Sequence, residues 1–269
     1  MRFSRLLVAV VLVTAGCGSP AIVGSPPASY APDDLVLQVH TSGGLVTPAT
    51  AFSELPQVSV YGDGRVIVNG PVSAGSTAPA LPNARLRHVP PAEVRRWAER
   101  ALEAGVGNGA DLGVPQVMDA PGTRISVLAS SGRLTTDVPA LGLHGGLSLS
   151  QTRARQPLED LVHSLRDLER GGTEPYEPKL MAAVAEPWPP SRDAAAIDPP
   201  AMDWPGPTPL PGEVADRLRV HCVTVDAAPL LSAAAKATRR TPWLSGDTRW
   251  QVSFRPLLPH ESTCADLAL

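Results

Sequence analysis

Val58-Ser-Val-Tyr61-Gly-Asp-Gly-Arg65-Val-Ile-Val68 carries the strongest β-hairpin pattern in a sequence of 269 residues. Two apolar runs that alternate with other residues flank Asp63-Gly64, and glycine readily adopts the positive φ that a tight turn between strands needs. Aspartate is common in such turns, so we interpret Asp63 as a turn residue rather than as a ligand or a base. The stretch therefore predicts an antiparallel sheet.

Further strands and helices are predicted on both sides of this hairpin. Alternating apolar residues indicate strands, whereas apolar residues at i, i+3 and i+4 indicate amphipathic helices. Proline suits the first turn of a helix, and glycine commonly follows its end. The predicted strands cover residues 35–40, 85–89, 125–138 (a hairpin), 179–186 and 219–225, and the predicted helices cover 91–104 and 156–169.

The order of elements repeats within the chain. Strand 85–89, helix 91–104 and hairpin 125–138 are followed later by strand 219–225, helix 227–238 and hairpin 243–254. We expect Asp226 to cap the second of these helices. A sheet with one apolar face needs a cover, so each set predicts an antiparallel sheet with a helix packed on one face. The predicted fold class is α+β, with two related modules.

Composition divides the chain further. Residues 18–33 are mostly Gly, Ser, Pro and Ala, which cannot bury enough apolar surface to fold. Prolines after Glu186 exclude a central strand, and Trp188 and Trp204 favour docking of that stretch on the body. We predict a lipoprotein signal peptide (1–16), a flexible tether (17–33), an N-terminal α+β module (34–172), a strand plus Pro-rich connector (173–212) and a C-terminal α+β module closed by a disulfide (213–269).

The first residues have the pattern of an export signal. Arg2 and Arg5 precede the apolar run 6–13, which is too short to span a bilayer. An ordinary cleaved signal peptide is one interpretation. The sequence Ala15-Gly-Cys17, however, resembles the lipobox of bacterial lipoproteins, in which the cysteine is lipidated. This resemblance implies a lipid anchor on Cys17 that holds the chain at the outer face of the cytoplasmic membrane.

Two further cysteines, Cys222 and Cys264, follow in the last fifty residues. Outside the cytoplasm two thiols tend to pair, which predicts a Cys222–Cys264 disulfide. The alternative is a metal site with His221 and His260. Adjacent residues on a strand point to opposite faces, so His221 and Cys222 are poorly placed to share a metal.

Net charge and motifs exclude several classes of protein. The formal net charge is −3 and no basic block occurs, which argues against nucleic acid as a partner. The sequence contains no metalloprotease, phosphate-binding, calcium-binding or dinucleotide-binding motif, so we predict no metal and no cofactor.

Three short runs carry a resemblance. They are Tyr61-Gly-Asp-Gly-Arg-Val-Ile67, Thr241-Pro-Trp243 and Arg255-Pro-Leu-Leu-Pro-His-Glu261. Together they resemble a family of uncharacterised secreted or lipid-anchored proteins of high-GC Gram-positive (actinobacterial) bacteria. The resemblance implies export, but it implies no activity, substrate or catalytic residue.

Two functions are compatible with these observations. The first is a non-catalytic binding or structural protein of the cell envelope, whose partner is an envelope protein or a small molecule. The alternative is an envelope hydrolase with an acid–base pair assembled from distant residues, because such pairs leave no spacing in the sequence. His144, Asp63 and His260 are then the first candidates.

Overall fold

The computed structural model describes residues 24–72, 75, 78–170, 172–189, 199–214 and 220–267. The predicted signal peptide, Cys17 and the first part of the predicted tether lie outside the described residues. The described chain forms two sheets with helices, which confirms the predicted α+β fold with two sheet modules. We call residues 24–175 the first module and residues 180–267 the second module.

The first module is built on a sheet of seven described strands. They are β1 (Leu35–Ser42), β2 (Val58–Tyr61), β3 (Arg65–Asn69), β4 (Ala84–His88), β5 (Gly122–Ala129), β6 (Gly132–Pro139) and β7 (Glu174–Pro175). Their order across the sheet is β6-β5-β1-β2-β3-β4-β7, and all neighbours are antiparallel. The predicted hairpin forms β2 and β3, with Gly64 at a φ of 94° in its turn.

Two helices cover one face of this sheet. They are α2 (Pro91–Glu103) and α3 (Leu149–Arg166), and a 3-10 turn (Asp167–Glu169) follows α3. The apolar stripe of α2 is buried as its spacing predicts, with Val94, Ala98 and Ala101 fully enclosed. The core lies between these helices and the inward side chains of β1, β2, β3 and β5.

Helix α3 begins well before the predicted start at Gln156. Ser148 and Gln151 form a capping box, in which each side chain accepts a hydrogen bond from the other's backbone N–H (3.2 and 2.9 Å). This cap starts the helix at Leu149, and Pro157 is accommodated within it. The prediction of the start was wrong because it overlooked the capping residues.

The second module is built on a mixed sheet of six described strands. They are β8 (Leu180–Pro187), β9 (Met202–Asp203), β10 (Glu213–Val214), β11 (His221–Asp226), β12 (Trp243–Ser245) and β13 (Thr248–Pro256), in the order β10-β11-β8-β13-β12-β9. Only β12 and β9 are parallel among these pairs. Strand β8, which the sequence analysis assigned to the connector, lies in the middle of this sheet.

Helices from both modules cover the second sheet. Helix α4 (Ala227–Ala234) buries Leu230 and Ala234 on one face. Helix α1 (Pro48–Ser53) comes from the first module and places Ala49 and Phe52 on the other face. Asp226 precedes α4 as predicted, but its side chain makes no capping hydrogen bond.

The Pro-rich connector docks on the second module at Trp188, Met202, Trp204 and Leu210, whose backbone N–H groups donate hydrogen bonds to it. The ring of Trp204 lies parallel to Phe254 at 6.5 Å and edge-on to Trp243 at 6.2 Å. Met202 and Asp203 extend the second sheet as β9. The rings of Trp243 and Phe254 therefore hold Trp204 in place, in agreement with the expectation of docking.

Residues 24–33 differ from the predicted flexible tether, because they lie against the first module. Arg95 donates hydrogen bonds to the carbonyls of Pro27 (2.9 Å) and Ala28 (2.5 Å). Tyr30 packs against the core of the first module. The contacts use backbone carbonyls and one aromatic ring, so the small residues of this stretch need no large apolar side chains to be held.

A disulfide joins Cys222 of β11 to Cys264, with a Cα–Cα distance of 6.1 Å. Cys264 begins a 3-10 turn (Cys264–Leu267) whose Leu267 is buried beside Phe52 and Leu257. The predicted bridge is thus confirmed. It attaches the last described residues to the second sheet.

The two modules share an order of elements along the chain, but they differ in which strand of the hairpin pairs with the opening strand. In the first module, β5, the first strand of the late hairpin, pairs with the opening strand β1. In the second module, β13, the second strand of the hairpin, pairs with the opening strand β8. The internal repeat is therefore limited to the order of the elements along the chain, and the strand pairing differs between the two sheets.

Candidate functional site

Two of the three runs that carry the family resemblance meet in space. Tyr61 at the end of β2 is fully buried, and a hydrogen bond of 2.8 Å joins its Oη to Nδ1 of His260. The guanidinium carbon of Arg65 lies 5.4 Å from the centre of the Tyr61 ring, within range of a cation–π contact. We call Tyr61, Arg65, Arg255, His260 and Glu261 the interface cluster.

Arg255 and Glu261 form the buried part of this cluster. Their side chains are 3% and 4% exposed, and two hydrogen bonds of 2.6 and 2.8 Å join them. Glu261 also accepts a hydrogen bond from the Leu258 N–H (2.8 Å), and Arg255 Nε donates to the Glu54 carbonyl of the first module (3.3 Å). Because every buried charge has partners, this pair can hold the two modules together.

Apolar contacts accompany the cluster. Leu258 of the second module is buried among Leu35, Leu55 and Ile67 of the first. Tyr176 donates a hydrogen bond to the Leu257 carbonyl (2.9 Å). Helix α1 of the first module thus packs on the second sheet, and residues 257–261 of the second module pack on the first sheet.

Burial controls the protonation of the cluster. It raises the pKa of Tyr61 far above the ordinary value for tyrosine, with a further contribution from Glu261. Burial also raises the pKa of Tyr176 to about 12 and lowers the pKa of His260. At neutral pH Tyr61 is therefore a protonated phenol and His260 a neutral imidazole, so the pair supplies neither a phenolate nor an imidazolium.

The three acid–base candidates lie in different surroundings. Asp63 holds Arg65, accepting hydrogen bonds from its Nε (2.6 Å) and its backbone N–H (3.0 Å), and Arg65 also pairs with Asp33. His260 belongs to the interface cluster. His144 instead lies beside α3, with Nε2 at 3.4 Å from Glu159. The turn role predicted for Asp63 agrees with these contacts.

A cleft opens between the modules next to the cluster. It has a volume of about 350 Å³ and is lined by residues of both modules, including Glu54, Asn69, Arg239, Gln251, Ser253 and Phe254. We call it the intermodule cleft. Such junctions between structural units are preferred positions for ligand sites, and this volume is at the lower end of their usual range.

The short strand β12 explains why the cleft exists. It pairs with residues 248–250 of β13 and then ends, so in the described part of the chain that side of β13 has no strand neighbour beyond Trp250. Residues 251–254 line the cleft along this edge of β13, and the side chains of Val252 and Phe254 are only 5% and 4% exposed because they pack in the core beside α4. The Glu54 carbonyl is held by Arg255, so the interface cluster also positions the wall that carries the Glu54 side chain.

Two charged residues line this cleft, the half-buried Glu54 and the exposed Arg239. Burial raises the pKa of Glu54. Among the described residues, neither the Glu54 carboxylate nor the Arg239 guanidinium has a salt-bridge partner. Sequence reasoning missed both, since nothing in the local sequence of an isolated Glu or Arg distinguishes it from a solvated surface charge.

The described ranges contain neither a group of metal ligands nor a helix able to cross a membrane. Within them, no group of three or more His, Cys, Asp or Glu side chains is arranged to hold a metal ion. The helices in the same ranges are all too short or too polar to cross a bilayer.

In comparisons with known proteins, no family model matches the chain, and no curated protein or solved structure is significantly similar to it. The resemblance to an actinobacterial lipoprotein family therefore stays a prediction.

Proposed function

We propose that this chain is a lipid-anchored protein of the outer face of the cytoplasmic membrane, and that it binds a small molecule in the intermodule cleft without catalysis. The observation that carries the proposal is the cleft itself, a cavity whose two walls come from different modules. A binding site of this kind needs the modules to keep a fixed relation. The interface cluster meets that need.

Export is supported by the Cys222–Cys264 bridge. Disulfides persist in oxidising compartments and are rare in the cytoplasm. The proposed lipid on Cys17 would then hold the body close to the membrane, because Gly24 already lies near Ala129 on the first module. The seven peptide steps from Cys17 to Gly24 reach at most about 25 Å when fully extended.

Binding is favoured over hydrolysis by the state of the interface cluster. Tyr61 is fully buried and bonded to His260, and its raised pKa opposes the ionised form that a nucleophile requires. Asp63 is already paired with Arg65. Two of the three candidates of the hydrolase alternative, Asp63 and His260, thus have structural partners in the described chain.

The anchor is tested by labelling cells with an alkyne analogue of palmitate. We expect the wild-type protein to be labelled and to fractionate with membranes, and a Cys17→Ser variant to be unlabelled. A Cys222→Ser/Cys264→Ser variant is the matched control, and it should keep the label. Unlabelled wild-type protein in the medium would contradict the anchor.

The cleft is tested by ligand-observed NMR with mixtures of amino acids, dipeptides, sugars, nucleosides and organic acids. Asn69→Trp places an indole at the cleft and should abolish binding, whereas Glu103→Trp at the exposed end of α2 should not. Turnover of any compound would contradict a non-catalytic role. Binding that survives Asn69→Trp would contradict the cleft as the site.

A further inference from the structure

The two unpaired charges of the intermodule cleft belong to opposite modules. Glu54 follows α1 in the first module, and Arg239 follows α4 in the second module. Both residues line the same cavity, and no salt bridge joins them in the described chain. The cleft therefore offers a negative wall and a positive wall that do not neutralise each other.

Glu54 and Arg239 each favour a specific group of a ligand. A half-buried carboxylate without a partner loses hydration, and a ligand ammonium restores a favourable contact. An arginine guanidinium can bind a carboxylate through two parallel hydrogen bonds. Other lining residues include Asn69, Gln251 and Ser253, whose amides and hydroxyl match the N–H and C=O of a peptide bond.

The volume of the intermodule cleft and its apolar lining narrow the class of ligand further. A cavity of about 350 Å³ accommodates a small molecule rather than a polymer. Val72, which is 40% exposed, and Pro82 also line the cavity and make part of its surface apolar, which suits short aliphatic side chains. A sugar or a nucleoside without charge would leave both Glu54 and Arg239 unpaired.

We infer that the intermodule cleft binds a short peptide with free termini, its ammonium group on Glu54 and its carboxylate on Arg239. This inference rests on the proposed function, because it names the ligand class of the same site. The peptide bond lies between the two walls, where the amide and hydroxyl side chains are.

Isothermal titration with alanyl-alanine, in its L,L and D,D forms, tests the inference on the whole mature chain with its disulfide intact. We expect at least one form to bind. N-acetylation and C-amidation of that form should each weaken binding about tenfold or more, equivalent to ~1.4 kcal/mol. Glu54→Gln should remove the effect of N-acetylation, and Arg239→Gln should remove the effect of C-amidation.

Two matched variants control for non-specific charge effects. Arg240→Gln removes the neighbouring exposed arginine, and Glu103→Gln removes an exposed glutamate of the first module. Both should bind alanyl-alanine as the wild type does. Melting temperatures of all four variants should stay close to that of the wild type, because none of the four side chains has a hydrogen-bond partner within the described chain.

The outcomes separate this inference from the proposed function. If neither form binds while an uncharged compound of the NMR mixtures occupies the cleft, the inference is wrong and the proposed function stands. If blocked and free peptides bind equally, the inference is also wrong. If no compound of any class binds, both are wrong.

Discussion

Arg255 and Glu261 lie six residues apart in sequence and face each other as a buried, doubly hydrogen-bonded ion pair, with N–O distances of 2.6 and 2.8 Å. Through its Nε, Arg255 also holds the Glu54 carbonyl of the other module. The pair therefore links the contact between modules to the wall of the intermodule cleft.

Removal of one partner of the Arg255–Glu261 pair should strongly lower the free energy of unfolding. Arg255→Met leaves the Glu261 carboxylate buried without its partner, and we expect the free energy of unfolding to fall by roughly 3–5 kcal/mol. The double variant Arg255→Met/Glu261→Leu should lose less than either single variant. Urea denaturation followed by fluorescence measures the difference.

Arg124→Met is the matched control for that experiment. Arg124 pairs with Asp137 at 2.7 Å, but both side chains are well exposed. Its loss should cost less than about 1 kcal/mol. Equal effects at Arg124 and Arg255 would show that the interface cluster does not stabilise the fold as described.

The guanidinium of Arg155 is a second buried charge with a structural role. It is fully buried in α3 and donates to the carbonyls of Leu112 (3.1 Å), Pro139 (2.7 Å) and Ala140 (2.8 Å). Arg155→Met removes the guanidinium from all three carbonyls, of which that of Ala140 keeps the Leu143 N–H (3.0 Å), so we expect a loss of roughly 3 kcal/mol. Arg153→Met, on the exposed side of the same helix, should leave the urea midpoint almost unchanged.

Stability should fall in mild acid because of His40. Burial, followed by the charges of Arg255 and Arg124, lowers the pKa of His40 to about 4, and Glu261 opposes this. The unfolded state, with a pKa near 6.5, therefore binds a proton that the folded state excludes. The resulting stability is fully present above about pH 6.5 and is lost as the pH falls towards 4.

Unfolding free energies measured between pH 8 and pH 4 test this expectation. His40→Gln should flatten the decline by roughly 2–3 kcal/mol at the acid end, since that histidine no longer titrates. His163→Gln, at an exposed position of α3, is the control and should keep the decline. An unchanged slope in His40→Gln would contradict the assignment.

The disulfide should contribute to stability through the chain it closes. We expect Cys222→Ser/Cys264→Ser to lower the free energy of unfolding by roughly 3–4 kcal/mol. Because the bridge attaches residues 257–267 to the second sheet, the variant should also raise the rate at which diethylpyrocarbonate modifies His260, whose side chain is 28% exposed and whose Nδ1 is bonded to Tyr61. Protection of His260 equal to that in the wild type would show that the interface cluster holds without the bridge.

Local signals in the sequence predicted much of the fold. The Asp63-Gly64 turn and the apolar stripe of α2 depend on neighbours within a few residues, and both formed as predicted. The start of α3 was wrong because its capping residues precede the apolar stripe. Residues 24–33 were misjudged because Arg95 holds them through carbonyls that every residue carries.

Such local signals could not predict the candidate site. Tyr61 and His260 are separated by 199 positions, and only the packing of the two modules brings them together. Glu54 and Arg239 face the same cleft because β12 ends early, which leaves no pattern around either residue. Sequence could suggest that the two runs matter, but it could not say that they touch.

Intact-mass spectrometry of the protein extracted from membranes, before and after alkylation without reduction, tests compartment and anchor together. We predict a chain that begins at Cys17, carries a diacylglycerol on that residue, and takes up no alkylating agent at Cys222 or Cys264. An unmodified chain recovered from the medium, or one alkylated at both later cysteines, would contradict the account.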